Sequence, residues 1–298
     1  MIVDTLAKQL MFSTTRIQTT GPRGSGSGTG FIYIIQGVGL TLPLLVTNKH
    51  VVQGAHQSRV RFIRSNAAGD GPDLKAQPVD VIYQGDGHKW TGHPDPDIDI
   101  AIMPLAQTFE DLGQRGVKIF FKAIGPELCP RPSDVAAMDA VEPITFIGYP
   151  NGLFDAAHNT PIIRQGSTAT PIELDYDGKP TFLVDASVFP GSSGSPVFIA
   201  QEGVHRKKMA LVVGSKIFFL GVIAAVMQQG TLGQIMQAAI PQVITPQMID
   251  LGIVFKWSTI EETVDYLCRE TGVDRSRLNA VSPEPQSVHT GPIEAQSP

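Results

Sequence analysis

Gly191-Ser192-Ser193-Gly194-Ser195-Pro196-Val197-Phe198 is the stretch on which the reading of this chain turns. A serine between glycines, with proline just beyond, suits a nucleophile whose neighbouring backbone amides must also hold a developing negative charge. Gly191 can take backbone angles closed to other residues, so its N–H can turn inward beside that of Ser193. Removing one such donor typically costs about 3 kcal/mol of transition-state stabilisation. By itself a Gly/Ser-rich hexapeptide is ordinarily a turn. Its weight comes from the partners upstream.

The first partner is His50, in Leu44-Leu45-Val46-Thr47-Asn48-Lys49-His50-Val51-Val52, where an apolar strand meets a short polar step and presents an imidazole. Imidazole titrates close to neutral pH, so it can take a proton from a hydroxyl and return it to a leaving group. The second is Asp99, in Asp97-Ile98-Asp99-Ile100-Ala101-Ile102-Met103-Pro104-Leu105. A carboxylate opening an apolar strand is expected to be partly buried, and a buried carboxylate needs a partner. Accepting the second imidazole N–H would satisfy Asp99 and fix the tautomer of His50. Asp97 is expected one alternation earlier on the same strand face, reaching solvent.

His50, Asp99 and Ser193 stand in one of the three unrelated chain orders in which this triad occurs. Among the crowded serines, Ser193 takes the nucleophile's place because Gly191 stands two before it and Gly194 follows it. Ser192 falls between the two expected oxyanion donors. Ser195 occupies the place of the last glycine in a Gly-x-Ser-x-Gly elbow, which argues against an α/β-hydrolase.

These motifs, in this order, resemble the trypsin-like serine peptidase domain, nearest in style to bacterial high-temperature-requirement-type proteases. Thr29-Gly30-Phe31-Ile32 resembles that family's entry to the first barrel, Thr47-Asn48-Lys49-His50 its histidine motif, and Asp99-Ile100-Ala101-Ile102 its aspartate motif. Ile147-Gly148-Tyr149-Pro150 with Gly152 resembles its Gly-x-Pro segment, and Val184-Asp185-Ala186-Ser187 leading into Pro190-Gly191 resembles the approach to its serine. The matches span residues 10–240.

The resemblance implies an all-β fold of two six-stranded Greek-key barrels with a C-terminal helix. Short β-branched runs and abundant Gly and Pro agree with it. Expected strands are Arg16–Thr20, Gly30–Gln36, Pro43–Thr47, Arg59–Arg64, Val79–Tyr83 and Ile98–Met103, then Ile144–Ile147, Ile162–Thr168, Thr181–Val184, Val197–Ala200, Met209–Val213 and Phe218–Ala225, with Leu251–Phe255 as a further candidate. The peptidase domain is placed at residues 10–272. Its first barrel is expected over about 10–110, its second over about 138–240 and its helix over about 259–271. The stretch Ala106–Met138 reads as a connector. Ser258 and Glu261 form an expected capping box, and Ile260, Val264, Leu267 and Cys268 an apolar stripe ending near Gly272, on a helix expected to pack on the second barrel. Residues 282–298 read as a disordered tail. No appended peptide-binding domain is apparent.

A net charge of −5, without a broad basic run, argues against a nucleic-acid partner, and Arg59, Arg61 and Arg64 read as a solvated strand face. Gly24–Gly30 lacks the Gly-Lys-Ser/Thr of a phosphate loop and reads as a flexible loop before a strand. His88 and His93, in a Pro-rich setting, read as an exposed loop rather than metal ligands, and His205-Arg206-Lys207-Lys208 as an exposed hairpin turn. No metal or cofactor is expected. Met1 to Thr20 lacks a basic start with an apolar core, and no run of about twenty apolar residues exists to span a membrane. Two distant cysteines, Cys129 and Cys268, give no disulfide framework, so a cytoplasmic location is expected.

The family resemblance places Ser187 at the base of the pocket for the side chain preceding the scissile bond. Ser187 and Val188, with Ala224, Ala225 and Val226 of the wall strand, are the expected substrate pocket. Without an acidic residue at its base, a neutral, small-to-medium aliphatic preference is expected. Ser192 stands where zymogen-activated relatives carry an aspartate, so activation by a freshly cut amino terminus is not expected. The expected function is a serine endopeptidase acting on protein or peptide substrates through an acyl-enzyme on Ser193. The alternative is a catalytically silent scaffold of the same fold used for protein binding.

Overall fold

Alternation shapes the first half of the molecule. The computed structural model describes residues 1–22, 24–85, 90–207, 210–229 and 247–278, with the backbone alone at 204–207, 210–212, 225–229 and 247–249. A short helix α1 (Leu6–Met11) leads into β1 (Thr14–Gly21), which turns Thr15, Ile17 and Thr19 inward. β2 (Gly24–Gly37) pairs β1 on one side and β3 (Leu40–Thr47) on the other. β4 (Gln57–Arg64) lays Val60 opposite Ile17, so both side chains share the buried face. β5 (Val79–Gln84), β6 (Thr91–Gly92) and β7 (Ala101–Pro104) complete the order β5-β4-β1-β2-β3-β7-β6, with β8 (Ile119–Phe120) added on β4. That is eight strands rather than six, the two additions being only two residues long.

Several sequence expectations need correction here. Gly24–Gly30 is not a loop: it is the first part of β2, with Gly26, Gly28 and Gly30 laid against Thr19, Val51 and Ile17. The strand expected over Ile98–Met103 begins only at Ala101. Asp95 takes the intervening backbone instead, its carboxylate accepting the Asp97 N–H and its carbonyl the Ile98 N–H. Such a local turn competes with a ladder. Asp97 therefore lies in this turn and not on a strand face. The connector contains an amphipathic helix, α3 (Ala106–Gln114), besides β8 and the short α4 (Pro132–Val135).

The second half closes into a six-stranded barrel in the order β10-β11-β14-β13-β12-β9, built from β9 (Pro143–Gly148), β10 (Ile162–Thr168), β11 (Thr181–Asp185), β12 (Pro196–Lys207), β13 (Ala210–Gln229) and β14 (Gln247–Lys256). Of the two strands expected at Met209–Val213 and Phe218–Ala225, residues 210–213 and 218–225 belong to one strand, β13, and Met209 lies outside the described residues. The Gly214-Ser215-Lys216 step between them stays paired, opposite Gly203, Glu202 and Gln201. The sixth place belongs to β14, at the further candidate Leu251–Phe255. His205, Arg206 and Lys207 lie in β12 rather than in a turn, and Lys208 lies outside the described residues. His88, residues 230–246 and the expected tail at 282–298 also lie outside them.

The helix α5 (Ser258–Thr271) buries Ile260, Val264, Leu267 and Cys268 and ends at Gly272 in the left-handed region, φ +72°. Its expected capping box does not form. Glu261 turns inward to accept from the Tyr33 hydroxyl of β2 (2.6 Å) and to pair with Arg275. The helix thus packs across both halves and not on the barrel alone: Glu262 also reaches His93 beside β6. The core it joins is shared. Phe31 and Tyr33 of β2 meet Phe198 of β12 and Phe219 of β13, with ring centroids 5.4 to 6.3 Å from Phe219. Each half keeps a core of its own besides. Cys129 and Cys268 are free thiols, and burial pushes that of Cys129 well up.

Candidate active site

β3 delivers the histidine. Its apolar run ends at Thr47, and the turn α2 (Lys49–Val52) is anchored by buried Val51 and Val52, which leaves the His50 ring half exposed. Asn48, fully buried, donates from Nδ2 to the backbone carbonyl of Asp99 (2.7 Å) and so ties the aspartate segment to the histidine turn. Asp99 grips the same turn twice. Its Oδ1 accepts the His50 backbone N–H at 3.0 Å, and its Oδ2 lies 2.5 Å from His50 Nδ1. A carboxylate only accepts, so in the neutral imidazole Nδ1 carries the proton and Nε2 is left with a lone pair. Asp97 points elsewhere, to Lys179 Nζ at 3.0 Å, in solvent.

Ser193 lies on the loop before β12. Gly191 holds φ +86°, and a Cβ there would stand 2.7 Å from the Tyr149 carbonyl and 2.9 Å from Asn151 N, so glycine is required by both conformation and space. Gly194, at φ +87°, presses on the Thr29 carbonyl, which a Cβ would meet at 1.9 Å. Among the described residues neither the Gly191 nor the Ser193 N–H is hydrogen bonded. The Ser193 hydroxyl donates its one proton to the Ala224 carbonyl of β13, 3.0 Å away, rather than to His50. Among the described residues, the buried hydroxyls of Ser192 and Ser195 have no hydrogen-bond partner.

The expected pocket residues part company. Ser187 is exposed, whereas Val188 is 1 % exposed and belongs to the barrel core, against Gly252. Ala224 is buried; Ala225 and Val226 pair with Ile253 and Gly252, and their side chains lie outside the description. A cavity of about 180 Å³ instead flanks His50, walled by Thr19, Gly21, Gly26, Val51 and Gln53 among others.

The expected exposed loop at His93 needs correction. That ring is buried: Nδ1 accepts the Asp95 N–H (3.0 Å) and Nε2 lies 3.1 Å from Glu262. Among the described residues no group of three His, Cys, Asp or Glu converges as metal ligands. Arg61 pairs with Asp80 through Nε at 2.7 Å and Nη2 at 2.8 Å, and Arg64 donates to the Gln77 carbonyl.

Three site residues escaped the sequence reading, which quoted Asn48 and Thr29 only as parts of motifs and passed over Asn151. Asn48 is one. Thr29, fully buried, donates its N–H to the Ser193 carbonyl (2.9 Å) and its hydroxyl to the Gly191 carbonyl (3.0 Å). Asn151, at φ +50°, donates its N–H to the Pro190 carbonyl (2.5 Å). The available signal was position: Thr29 opens the first-barrel motif, and Asn151 lies between Pro150 and Gly152.

Comparison with known proteins finds a match to the trypsin-like peptidase domain over residues 28–204. Curated proteins give no match by sequence. Among solved structures, the chain is similar to the HtrA-type protease AlgW with tripeptide, at 15% identity and TM-score 0.46, covering 91% of this chain and 63% of that one. It is also similar to the serine endoprotease from Yersinia pestis, at 14% and 0.48, covering 89% and 66%. The active form of the Rv3671c protease from M. tuberculosis matches at 17% and 0.42, covering 97% and 89%. The chain thus spans less than two thirds of the length of the first two.

Proposed function

This chain belongs to the trypsin-like peptidase domain family, and on that premise we propose that it is a serine endopeptidase. His50 Nε2 takes the proton of Ser193 as its Oγ attacks a peptide carbonyl. Gly191 and Ser193 N–H groups receive the oxyanion, and the protonated imidazole then hands its proton to the departing amine. Asp99 holds the ring and stabilises the imidazolium. Water repeats the sequence on the acyl-enzyme. The observation that carries this reading is the Asp99 carboxylate 2.5 Å from His50 Nδ1, on a turn pinned by Asn48. Acylation requires the Ser193 hydroxyl to rotate from the Ala224 carbonyl toward His50. Protein or peptide substrates are proposed to lie along β13 by strand addition. A neutral, small-to-medium aliphatic residue before the scissile bond fits a site with no acidic group at Ser187; a cleavage profile dominated by Arg, Lys or Glu there overturns that preference. Free Cys129 and Cys268 fit a reducing compartment, the cytoplasm.

One observation favours a second reading, a catalytically silent binding scaffold: the Ser193 proton is committed to Ala224 rather than to His50. Fluorophosphonate treatment decides between the two. The enzyme reading expects stoichiometric modification at Ser193, abolished by Ser193→Ala. Intact protein that stays unmodified, or a label found on another serine, sinks it.

A further inference from the structure

We propose that Thr29 is the positioning residue of the oxyanion site, its hydroxyl setting the direction in which the Gly191 N–H points. The inference rests on the serine-endopeptidase reading. Thr29 comes from β2 of the first sheet, whereas Gly191 belongs to the barrel, so the contact reaches across the two halves.

The geometry leaves the Gly191 peptide little freedom. In a trans peptide the C=O and N–H point in opposite directions. The Pro190 carbonyl is taken by the Asn151 N–H at 2.5 Å, so the Gly191 N–H of the same plane faces away from Asn151. One plane further on, the Gly191 carbonyl is taken by the Thr29 hydroxyl at 3.0 Å, and the Ser192 N–H closes a turn onto the Phe189 carbonyl at 3.0 Å. Both planes flanking Gly191 are therefore fixed.

Thr29 governs both. Its hydroxyl donates to Gly191 and accepts from the Tyr149 N–H at 3.1 Å, and Tyr149 begins the tight turn whose Asn151 holds Pro190. Its N–H holds the Ser193 carbonyl at 2.9 Å, and its own carbonyl accepts from the Thr47 hydroxyl at 2.7 Å, three residues before His50. One buried side chain thus sets the spacing between the serine loop and the Tyr149–Asn151 turn. Valine at this position keeps the shape and loses the hydroxyl, leaving the Gly191 carbonyl and the Tyr149 N–H unpaired. The Gly191–Ser192 plane then loses its hold directly, and the Pro190–Gly191 plane, which carries the Gly191 N–H, loses it through the Tyr149 turn that presents Asn151, so that N–H no longer meets the oxyanion.

The test uses the full chain and four readouts: fluorophosphonate labelling rate, kcat and KM on one cleavable peptide, and the thermal midpoint. Thr29→Val is expected to slow labelling and kcat together by about 10²-fold, near what loss of one oxyanion donor costs. KM should stay within about twofold, because substrate held on β13 does not touch Thr29. Thr29→Ser restores the hydroxyl and should return both rates to within a few-fold of the parent. Should Thr29→Val not fold, Thr29→Ala is measured against Thr29→Ser in the same way. Parent protein that labels while Thr29→Val labels equally fast overturns the inference and leaves the enzyme reading standing. A lowered midpoint accompanies the two unpaired groups in either case; a loss that falls on KM with labelling and kcat unchanged, or one that serine does not restore, overturns the inference equally, since it marks a packing role. Parent protein that never labels defeats the enzyme reading itself.

Discussion

At the scale of single residues, what was legible was chemistry with a narrow choice of side chain. His50, Asp99 and Ser193 stood out because few residue types can move a proton or attack a carbonyl, and the structure joins the first two at 2.5 Å. The residues that hydrogen bond the segments carrying them did not stand out. Asn48 and Thr29 act through one amide and one hydroxyl, of kinds that occur throughout a sequence without such a role. Expected effects follow the same division. Ser193→Ala and His50→Ala should each abolish acylation and should not add when combined, since the pair acts as a unit. Asp99→Asn keeps the shape but presents the wrong hydrogen-bonding face to the imidazole, so kcat should fall by about 10⁴-fold. Ser195→Ala should be the contrast. Its hydroxyl is buried without a partner, so removing it should leave turnover unchanged and stability equal or slightly raised. Steady-state rates and denaturant midpoints on the four variants check the set, and inactivity in Ser195→Ala with activity in Ser193→Ala would reverse the assignment.

At the scale of elements, strands with clean alternation were legible and strands carrying a polar or glycine step were not. β13 was cut in two at Gly214-Ser215-Lys216, although a long hairpin partner keeps that step paired. The reverse error came at Ile98–Met103, where an apolar run looked like strand but the Asp95 turn claims its first residues. Glu261 fits a capping box by spacing alone, yet the Tyr33 hydroxyl, buried far away in sequence, offers a stronger claim on its carboxylate. Pairing between elements also carries a pH dependence. Arg61 of β4 hydrogen bonds the Asp80 carboxylate of β5 and holds it below the ordinary value of 3.8, against the opposing effect of burial. A carboxyl depressed on folding stabilises the native state above its unfolded value, and that stabilisation is lost as pH falls through the lower folded value. Asp80→Asn should therefore cost about 1 kcal/mol at neutral pH, as expected for a partly exposed bidentate pair, and should flatten the acid limb of stability below about pH 4. Urea midpoints from pH 7 down to 2 test the sign. An Asp80→Asn profile parallel to the parent's across that range contradicts the assignment.

At the scale of the whole molecule, the two-part all-β architecture was legible from the order of motifs, but the coupling of the parts was not. Nothing local in Phe219 distinguishes it from another apolar strand residue. Its ring is nevertheless fully buried among Phe31 and Tyr33 from one half and Phe198 from the other. The site has the same bipartite origin, with His50 and Asp99 from the first sheet's connections and Ser193 from the barrel's. On the proposed serine-endopeptidase reading, activity requires that the halves stay docked, and the shared aromatic core is what docks them. The chain has two tryptophans, and they divide between the halves: Trp90 packs on the first core, and Trp257 follows β14 of the barrel. Trp90→Phe and Trp257→Phe each leave one fluorescent reporter. If the shared core makes folding cooperative, both reporters should give the same urea midpoint. Phe219→Ala, which empties a fully buried aromatic site, should lower stability by about 3–5 kcal/mol, a large share of the 5–15 kcal/mol typical of a native protein. That loss should move both midpoints together, because each half loses the surface it docks against. A Phe219→Ala shift confined to the Trp257 signal would mean that the barrel unfolds alone and that the aromatic cluster belongs to it rather than to the whole.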